Sequence, residues 1–266
     1  MLGRKQRLTN TDWLAAVANI KNLVNEEDIK KAEKAAIADI KAKTKGKKTA
    51  YAYSGGKDSI VLSVLCQKAG VADCMIGRSE LEYPAFIAWI NENKPPNLET
   101  INTGQDMAWL ARNQDMLFPN SQKAARWFSI VQHRAQTKYY KAKSLDMLIV
   151  GRRKADGNYV GKGDNIYTNG KGVTYYSPLA DWSHEYILAY IAYNELPTPP
   201  IYGWSNGYKC GTHSWPARQH TQTTENGWSE LFQIDPTLVE KAAAHEITSA
   251  KEFLRGRALN GEDNQS

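Results

Sequence analysis

The pattern of apolar and polar positions divides the chain into helices and short strands that alternate through its middle part. Apolar residues recur at helical spacing over 11–24 and from Ile29 to Ile40, which predicts two amphipathic helices, the second capped by Asn25. From residue 49 onward, short apolar or β-branched runs alternate with helical stretches, at 49–53, 60–68, 71–76, 84–93, 98–102, 122–142 and 146–150. Strands separated by helices predict crossover units and a mainly parallel sheet.

The last third of the chain is less regular. Residues 157–172 are rich in Gly, Asn and Lys, which predicts a mobile loop and a candidate lid. Ser183 is a candidate N-cap for a helix that continues to Tyr193, and the stretch 202–218 is predicted to be a loop. Asp235 and the following proline predict the start of a final helix.

These patterns predict three regions. Residues 1–47 form an N-terminal helical extension, 48–218 an α/β domain, and 219–266 a C-terminal helical extension whose tail, 260–266, is expected to be disordered. A chain of 266 residues is long enough for one large α/β domain with helical additions.

A glycine-rich stretch between the run 49–53 and the following helix carries the strongest chemical signal. Two adjacent glycines allow positive φ and close approach of the backbone to a ligand. The first N–H groups of the helix then face an anion with the positive end of the helix dipole. Hydroxyl donors and a lysine charge add to a predicted polyphosphate site, which consists of Ser54, Gly55, Gly56, Lys57, Asp58 and Ser59.

Two other phosphate-binding motifs do not fit the spacing of these glycines. A Walker-type P-loop needs four residues between its glycines, and a dinucleotide fingerprint needs Gly-x-Gly-x-x-Gly. The remaining alternative is an ordinary strand-to-helix turn that requires glycine. Six consecutive fitting positions favour the anion site over that alternative.

Cations also follow two further predicted strands. Arg78 comes after the run 71–76, and Arg152 and Arg153 come after the run 146–150. Ligands of parallel sheets bind beyond the carboxyl ends of the strands, so we expect these cations to lie near residues 54–59. The alternative for Arg152, Arg153 and the next lysine is a solvated surface loop.

Composition sets wider limits on function. The net charge is +6 and the pI about 9.0, which suits anionic nucleotides and allows contact with nucleic acid without requiring it. The lysine-rich stretch 41–48 is interpreted as a solvated linker, with a site for nucleic acid or a partner as the alternative. No apolar run approaches a membrane span and no secretory signal is visible, so we expect a cytoplasmic protein that does not bind a membrane.

The three cysteines are too few for a disulfide framework or a four-cysteine metal site. Cys66 and Cys74 lie in apolar runs and are expected in the core. Cys210 lies near Lys209 and His213, which would favour a reactive thiolate; a loop cysteine without a role is the alternative.

The glycine stretch resembles the PP-loop, Ser-Gly-Gly-x-Asp-Ser, of the N-type ATP pyrophosphatases and the sulfonucleotide reductases. Over about residues 48–218 the chain resembles the 3′-phosphoadenylylsulfate (PAPS) reductase family. The further matching segments are Glu82-Tyr83-Pro84, Arg126-Trp127, Gly151-x-Arg153, 178–182, Leu196-Pro197 and Gly207-Tyr208. This resemblance implies a Rossmann-like α/β fold of the adenine nucleotide α-hydrolase type, with a mainly parallel sheet and helices on both faces. It also implies that Arg153 holds the anionic end of a nucleotide.

The resemblance leaves the reaction open, with ATP or PAPS as the substrate nucleotide and Lys57 and Asp58 as catalytic candidates. Family reductases use a cysteine in a C-terminal Glu-Cys-Gly-x-His tail, and residues 219–266 contain none, so a reductase here would depend on Cys210 and a thioredoxin-like reductant. The intact PP-loop resembles instead relatives that cleave ATP between its α- and β-phosphates. Examples are the sulfate adenylyltransferase subunits and the proteins of nucleic-acid sulfur modification.

In that second hypothesis Mg²⁺ assists the reaction, and Asp58 is the candidate ligand. A third hypothesis is a nucleotide-binding regulatory subunit without turnover. The cysteine pairs that hold an iron–sulfur cluster in some relatives are missing from the sequence, so we expect no cluster. We also expect a homo-oligomer or a partner subunit.

Overall fold

The computed structural model describes residues 2, 7–119, 121–219 and 221–259. Three helices precede the sheet: α1 (Asn10–Ala18), α2 (Ile20–Leu23) and α3 (Glu26–Thr44). The sequence predicted one helix over 11–24, but Asn19 ends α1 and begins α2. Its side-chain amide donates to the carbonyl oxygen of Ala15, and such local bonding by Asn competes with helix continuation. The predicted N-cap Asn25 is confirmed.

The predicted parallel sheet is confirmed and has six strands within the described residues. The strands are β1 (Thr49–Ala52), β2 (Cys74–Arg78), β3 (Leu98–Asn102), β4 (Met147–Ile149), β5 (Ile166–Thr168) and β6 (Thr174–Tyr176). They lie in the order β3-β2-β1-β4-β6-β5, and every neighbouring pair is parallel except β5 and β6. In the register, Tyr51 of β1 faces Cys74 on one side and Ile149 on the other.

Helices connect the parallel strands as crossovers. They are α4 (Lys57–Ala69), α5 (Pro84–Asn93), α6 (Met107–Arg112), α7 (Ser121–Phe128) and α8 (Arg134–Ala142), and α9 (His184–Tyr193) follows the last strand. The predicted helix over 122–142 is interrupted by a π-helical turn, Ser129–His133. Pro84 lies in the first turn of α5, and the predicted N-cap Ser183 of α9 is confirmed.

The final third contains more regular structure than the sequence predicted. Strand β5 lies inside the stretch that was predicted to be a mobile loop, because residues 166–168 pair antiparallel with β6. The predicted loop over 202–218 contains α10 (Gly207–Cys210) and the 3₁₀ turn Trp215–Ala217. Three helices follow: α11 (Thr224–Ile234), α12 (Pro236–Ala244) and α13 (Thr248–Leu259). Asp235 caps α12 as predicted, but α12 is not the final helix; the predicted disordered tail lies outside the described residues.

Hydrophobic cores lie on both faces of the sheet. Alternate strand residues point to opposite faces, so Tyr51 and Ile149 belong to one core and Ala50 and Leu148 to the other. Helices α4 and α9 pack on the first face, and α8 packs on the second. Helices therefore cover both faces, as the sequence resemblance implied. Within the ranges described above, no helix is both long and apolar enough to cross a membrane.

Candidate functional site

A cleft opens where the strand order reverses. The chain continues from β1 to β2 on one side, whereas β4 pairs with β1 on the other side, so the connections beyond their carboxyl ends diverge. The cleft has a volume of about 440 Å³, and we call it the switch-point cleft. Its lining includes Ser54, Asp58 and Ser59 after β1 and Arg152 after β4. The sequence-based expectation that these two loops meet at one crevice is thus confirmed.

The glycine loop, residues 54–59, has a backbone that only glycine fits at position 55. Gly55 has a φ of +67°, and an added Cβ would lie 2.7 Å from Cδ1 of Ile90 and 2.8 Å from Cε2 of Phe86. Gly56 is the N-cap of α4, and a Cβ there would lie 3.3 Å from Oγ1 of Thr212. The two glycines therefore let the loop pack closely against α5 and against residue 212.

Hydrogen bonds hold this loop in shape. Ser59 Oγ accepts from the backbone N–H of Ser54 at 3.0 Å and donates to the carbonyl oxygen of Gly56 at 2.9 Å. The hydroxyl of Tyr202 accepts from the backbone N–H of Lys57 at 2.8 Å, and Thr212 Oγ1 donates to the carbonyl oxygen of Ser54 at 3.1 Å. The N-terminus of α4, which has no side-chain cap, thus faces the cleft with the positive end of its dipole.

The side chain of Lys57 points behind the loop. Its Nζ lies 2.8 and 3.0 Å from the two carboxylate oxygens of Asp58 and 5.2 Å from the ring centre of Trp13 in α1. Lys57 is buried and lines a separate pocket between α1, α9 and Tyr202, not the switch-point cleft. The phosphate contact predicted for its ammonium group therefore has no support from this geometry, which favours a role in holding the loop.

Arg153 is also turned away from the cleft. Its side chain has 0% exposure, and its Nε lies 2.8 Å from Oδ1 of Asp58. Its Nη2 lies 2.9 Å from Oδ2 of Asp156, and its Nη1 donates to the carbonyl oxygen of Trp182 at 3.2 Å. This burial argues against the direct ligand contact that the sequence predicted for Arg153.

His184 completes this buried network. Its Nδ1 accepts from Nη2 of Arg153 at 3.0 Å, and its ring packs edge-on against Trp13 at a centroid distance of 4.7 Å. Burial, with the nearby charges of Arg153 and Lys57, lowers the pKa of His184 to about 4. The imidazole is therefore neutral at pH 7, which fits its role as an acceptor for Arg153.

Arg152 lies on the cleft side. Its Nη2 donates to Nε2 of His133, which lies in the π-helical turn, at 3.1 Å. Its guanidinium carbon lies 4.8 Å from the ring centre of Tyr175 and 5.8 Å from that of Tyr167. Burial, and then the charges of Arg152 and Lys171, lower the pKa of His133. Arg152 thus presents a half-buried positive charge opposite the N-terminus of α4.

Arg78 lines a smaller niche beside Ser54. Glu82 lies in the same niche, where its carboxylate accepts from both the backbone N–H and the hydroxyl of Ser79 at 3.0 Å. Burial raises the pKa of Glu82 to about 7. Trp127 of α7 also lines the niche.

Comparison with known proteins identifies the family. Residues 48–211 match the phosphoadenosine phosphosulfate reductase domain. The chain belongs to this family. The match covers more than half of the chain and includes both loops that line the switch-point cleft.

Three solved structures are similar to this chain, and the first of them supports the fold. A PAPS reductase from Candida auris, solved as a phosphate complex, is 16% identical, with a TM-score of 0.50 over 67% of this chain and 91% of that chain. An NMN synthetase from Francisella tularensis is 18% identical, with a TM-score of 0.44 over 64% of this chain and 71% of that one. An FMN adenylyltransferase from Candida glabrata, in complex with FMN and the ATP analogue AMPCPP, is 12% identical. Its TM-score is 0.46, over 70% of this chain and 66% of that chain. No curated protein matches the chain.

In this family member the three cysteines lie away from the switch-point cleft. Cys210 is buried in α10, and its Sγ donates to the carbonyl oxygen of Gln219 at 3.3 Å. Cys66 and Cys74 are buried in the core as predicted, and burial raises the pKa of both thiols, that of Cys74 to about 11. None of the three thiols lines the cleft.

Asp58 is the carboxylate that lines the switch-point cleft, and 26% of its side chain is exposed. Among the residues that the structure describes, no group of three His, Cys, Asp or Glu side chains could hold a metal ion. Mg²⁺ needs no such group, because it is commonly bound by one or two carboxylates, water and substrate phosphates. Asp58 fits that mode, although Lys57 and Arg153 offset part of its charge.

Four residues that support the site were not predicted from the sequence. Trp13, Tyr202 and Thr212 contact the glycine loop or its lysine from distant parts of the chain, and His184 binds Arg153. Only His184 had a local signal, since it directly follows the predicted cap Ser183.

Proposed function

We propose that this chain binds ATP in the switch-point cleft and transfers its adenylyl group to an acceptor, with release of pyrophosphate. One observation carries this proposal: the intact glycine loop and the N-terminus of α4 face the same cleft as Arg152. Backbone N–H groups at a helix start and an opposing guanidinium are suited to a polyphosphate. The match to the phosphoadenosine phosphosulfate reductase domain supports an adenine nucleotide as the ligand.

In the proposed reaction, an acceptor oxygen attacks the α-phosphorus of ATP. A new P–O bond forms, the bond from that phosphorus to the α,β-bridging oxygen breaks, and pyrophosphate leaves with the electron pair. The acceptor proton passes to water. The N-terminus of α4 and the guanidinium of Arg152 would stabilise the negative charge that grows on the leaving group. When bound, Mg²⁺ would be held by Asp58 and phosphate oxygens and would neutralise part of that charge.

PAPS reduction is the second candidate, because the matching family contains PAPS reductases. A reductase would require a thiolate to attack the sulfuryl sulfur and a thioredoxin-like reductant to release sulfite. Cys210 is buried and bonded to the Gln219 carbonyl oxygen, and it does not line the cleft. This placement supports adenylyl transfer over reduction. A regulatory subunit without turnover remains the third hypothesis.

Product analysis with the full chain tests the proposal. The protein is incubated with Mg²⁺ and α-labelled ATP and, separately, with PAPS, and AMP-containing products, pyrophosphate and sulfite are measured. We expect pyrophosphate from ATP, at the same rate in the Cys210→Ser variant. If the wild type releases sulfite from PAPS and the Cys210→Ser variant does not, the protein is a reductase instead. If ATP binds by calorimetry but neither product forms with any acceptor, the regulatory hypothesis replaces ours.

A further inference from the structure

Three tyrosine rings form a row that begins at the switch-point cleft and ends in the core. Tyr159 lines the cleft, and 59% of its surface is exposed. Its ring centre lies 4.9 Å from that of Tyr167 in β5, which lies 5.3 Å from that of Tyr175 in β6. The Arg152 guanidinium lies over Tyr167 and Tyr175. The Tyr159 ring is thus largely exposed, packs in an edge-to-face contact with Tyr167, and adjoins the proposed ATP site.

The surrounding segment is positively charged. Residues 152–172 contain five Lys and Arg side chains and two carboxylates. Asp156 is bound internally by Arg153, whereas Lys162 and Lys171 are exposed. Lys162 is close to Tyr159 in sequence, and Lys171 lies in the turn between β5 and β6, close enough to His133 to contribute to its lowered pKa. Two exposed cations therefore lie in the same segment as Tyr159 and Tyr167.

We propose that the adenylyl acceptor is a single-stranded nucleic acid, with one base stacked on Tyr159 and the sugar–phosphate backbone held by Lys162 and Lys171. Proteins that hold single strands combine basic grooves with aromatic side chains on which bases stack. A single strand is required because the base faces of a duplex are stacked on each other and are closed to Tyr159. The acceptor role rests on the proposed adenylyl transfer, whereas the binding surface does not depend on it.

Two contacts hold this segment in place. An added Cβ at Gly161 would lie 2.5 Å from the carbonyl oxygen of Ile166, so residues 161 and 166 are packed together. Lys43 of α3 donates to the carbonyl oxygen of Asp164 at 2.6 Å, which ties the segment to the N-terminal helices. The tyrosine row therefore has a fixed position beside the cleft, as a binding platform needs.

Fluorescence anisotropy with a labelled single-stranded oligonucleotide of mixed sequence, as DNA and as RNA, tests the surface, and the matching duplex serves as a competitor. We expect the single strand to bind more tightly than the duplex. Tyr159→Ala should weaken binding by about 5- to 150-fold, whereas Tyr159→Phe should retain it because the ring face remains. The slope of log K against log salt should fall by about 0.7 for each lysine lost in Lys162→Ala and Lys171→Ala.

Lys241→Ala is the matched control, because Lys241 is exposed on α12 and does not line the cleft. It should leave the affinity and the salt slope unchanged. Equal affinity for single strand and duplex, or unchanged binding in Tyr159→Ala, would overturn the inference. ATP binding by the wild type, measured by calorimetry, separates the two proposals. If ATP binds and the single strand does not, this inference fails while the proposed function stands. If the single strand binds and ATP does not, adenylyl transfer is rejected and the proposed binding surface for single strands stands.

Discussion

The Nε atom of Arg153 lies 2.8 Å from Oδ1 of Asp58. This pair joins the end of β4 to the first turn of α4, which are the two elements on either side of the switch-point cleft. Asp58 is bound on its other side by Lys57, and Arg153 is bound by Asp156. These alternating charges, of which Asp58 is partly exposed to the cleft, hold the loops after β1 and β4 together, and Arg153 acts as a positioning residue.

Replacement of Arg153 by alanine should destabilise the protein by about 3–5 kcal/mol, because Asp58 and Asp156 would lose a buried cation. The free energy of unfolding in urea measures this change. Lys154→Ala is the control: Lys154 is exposed and pairs with exposed Asp181, so its loss should change stability by at most ~1 kcal/mol. Similar values for the two variants would contradict the proposed role of the buried network.

Arg152→Ala should weaken ATP binding by about 1.5–3 kcal/mol, the range for hydrogen bonds to charged groups. Arg152→Lys should recover only part of this loss, because an ammonium group cannot form the bidentate contacts of a guanidinium. Calorimetry with ATP gives the affinity. Wild-type affinity in Arg152→Ala would show that the cleft lining does not bind the polyphosphate through this residue.

Gly55→Ala and Gly46→Ala form a matched pair. Both glycines have positive φ, +67° and +71°, so both substitutions carry backbone strain of roughly 1–2 kcal/mol. A Cβ at residue 46 meets no atom within 4 Å, whereas one at residue 55 collides with Ile90 and Phe86. We expect Gly55→Ala to lose a further ~1–3 kcal/mol in urea unfolding. Equal losses of unfolding free energy in the two variants would mean that the glycine loop accommodates the added Cβ at residue 55 without cost.

Glu82 should make stability depend on pH near neutrality. Burial raises the pKa of Glu82 in the folded state to about 7, above its ordinary value of 4.5. The folded state therefore binds more protons between pH 4.5 and 7, and this contribution to stability is lost as the pH rises through that window. His184 acts in the opposite direction, because its lowered pKa makes stability fall as the pH drops from 6.5 towards 4.

The Glu82→Gln variant isolates the first effect. As the pH rises from 4.5 to above 7, the unfolding free energy of the wild type should fall relative to that of the variant by on the order of 1–3 kcal/mol. Glu80→Gln, which removes the same charge from an exposed neighbour, accounts for the change in net charge. If this difference does not vary with pH, the pKa of Glu82 is not raised in the folded state.

Local sequence determined the elements and the order in which they meet the cleft. The strand, the adjacent glycines and the helix over 49–69 depend on neighbouring residues, and so do the caps Asn25 and Ser183; each therefore appears in the pattern itself. The predicted meeting of the loops after β1 and β4 follows from the parallel sheet, since parallel strands place their carboxyl ends at one edge.

Only the tertiary structure decided which side chains face the cleft. Arg152 and Arg153 follow the same strand, and the backbone at Arg153 is extended, so their side chains point in opposite directions. One arginine lines the cleft and the other is buried against Asp58, and no local pattern distinguishes the two outcomes. The contacts of Trp13 and Tyr202 with Lys57 join segments far apart in the chain, and such contacts arise from packing, which sequence periodicity does not encode.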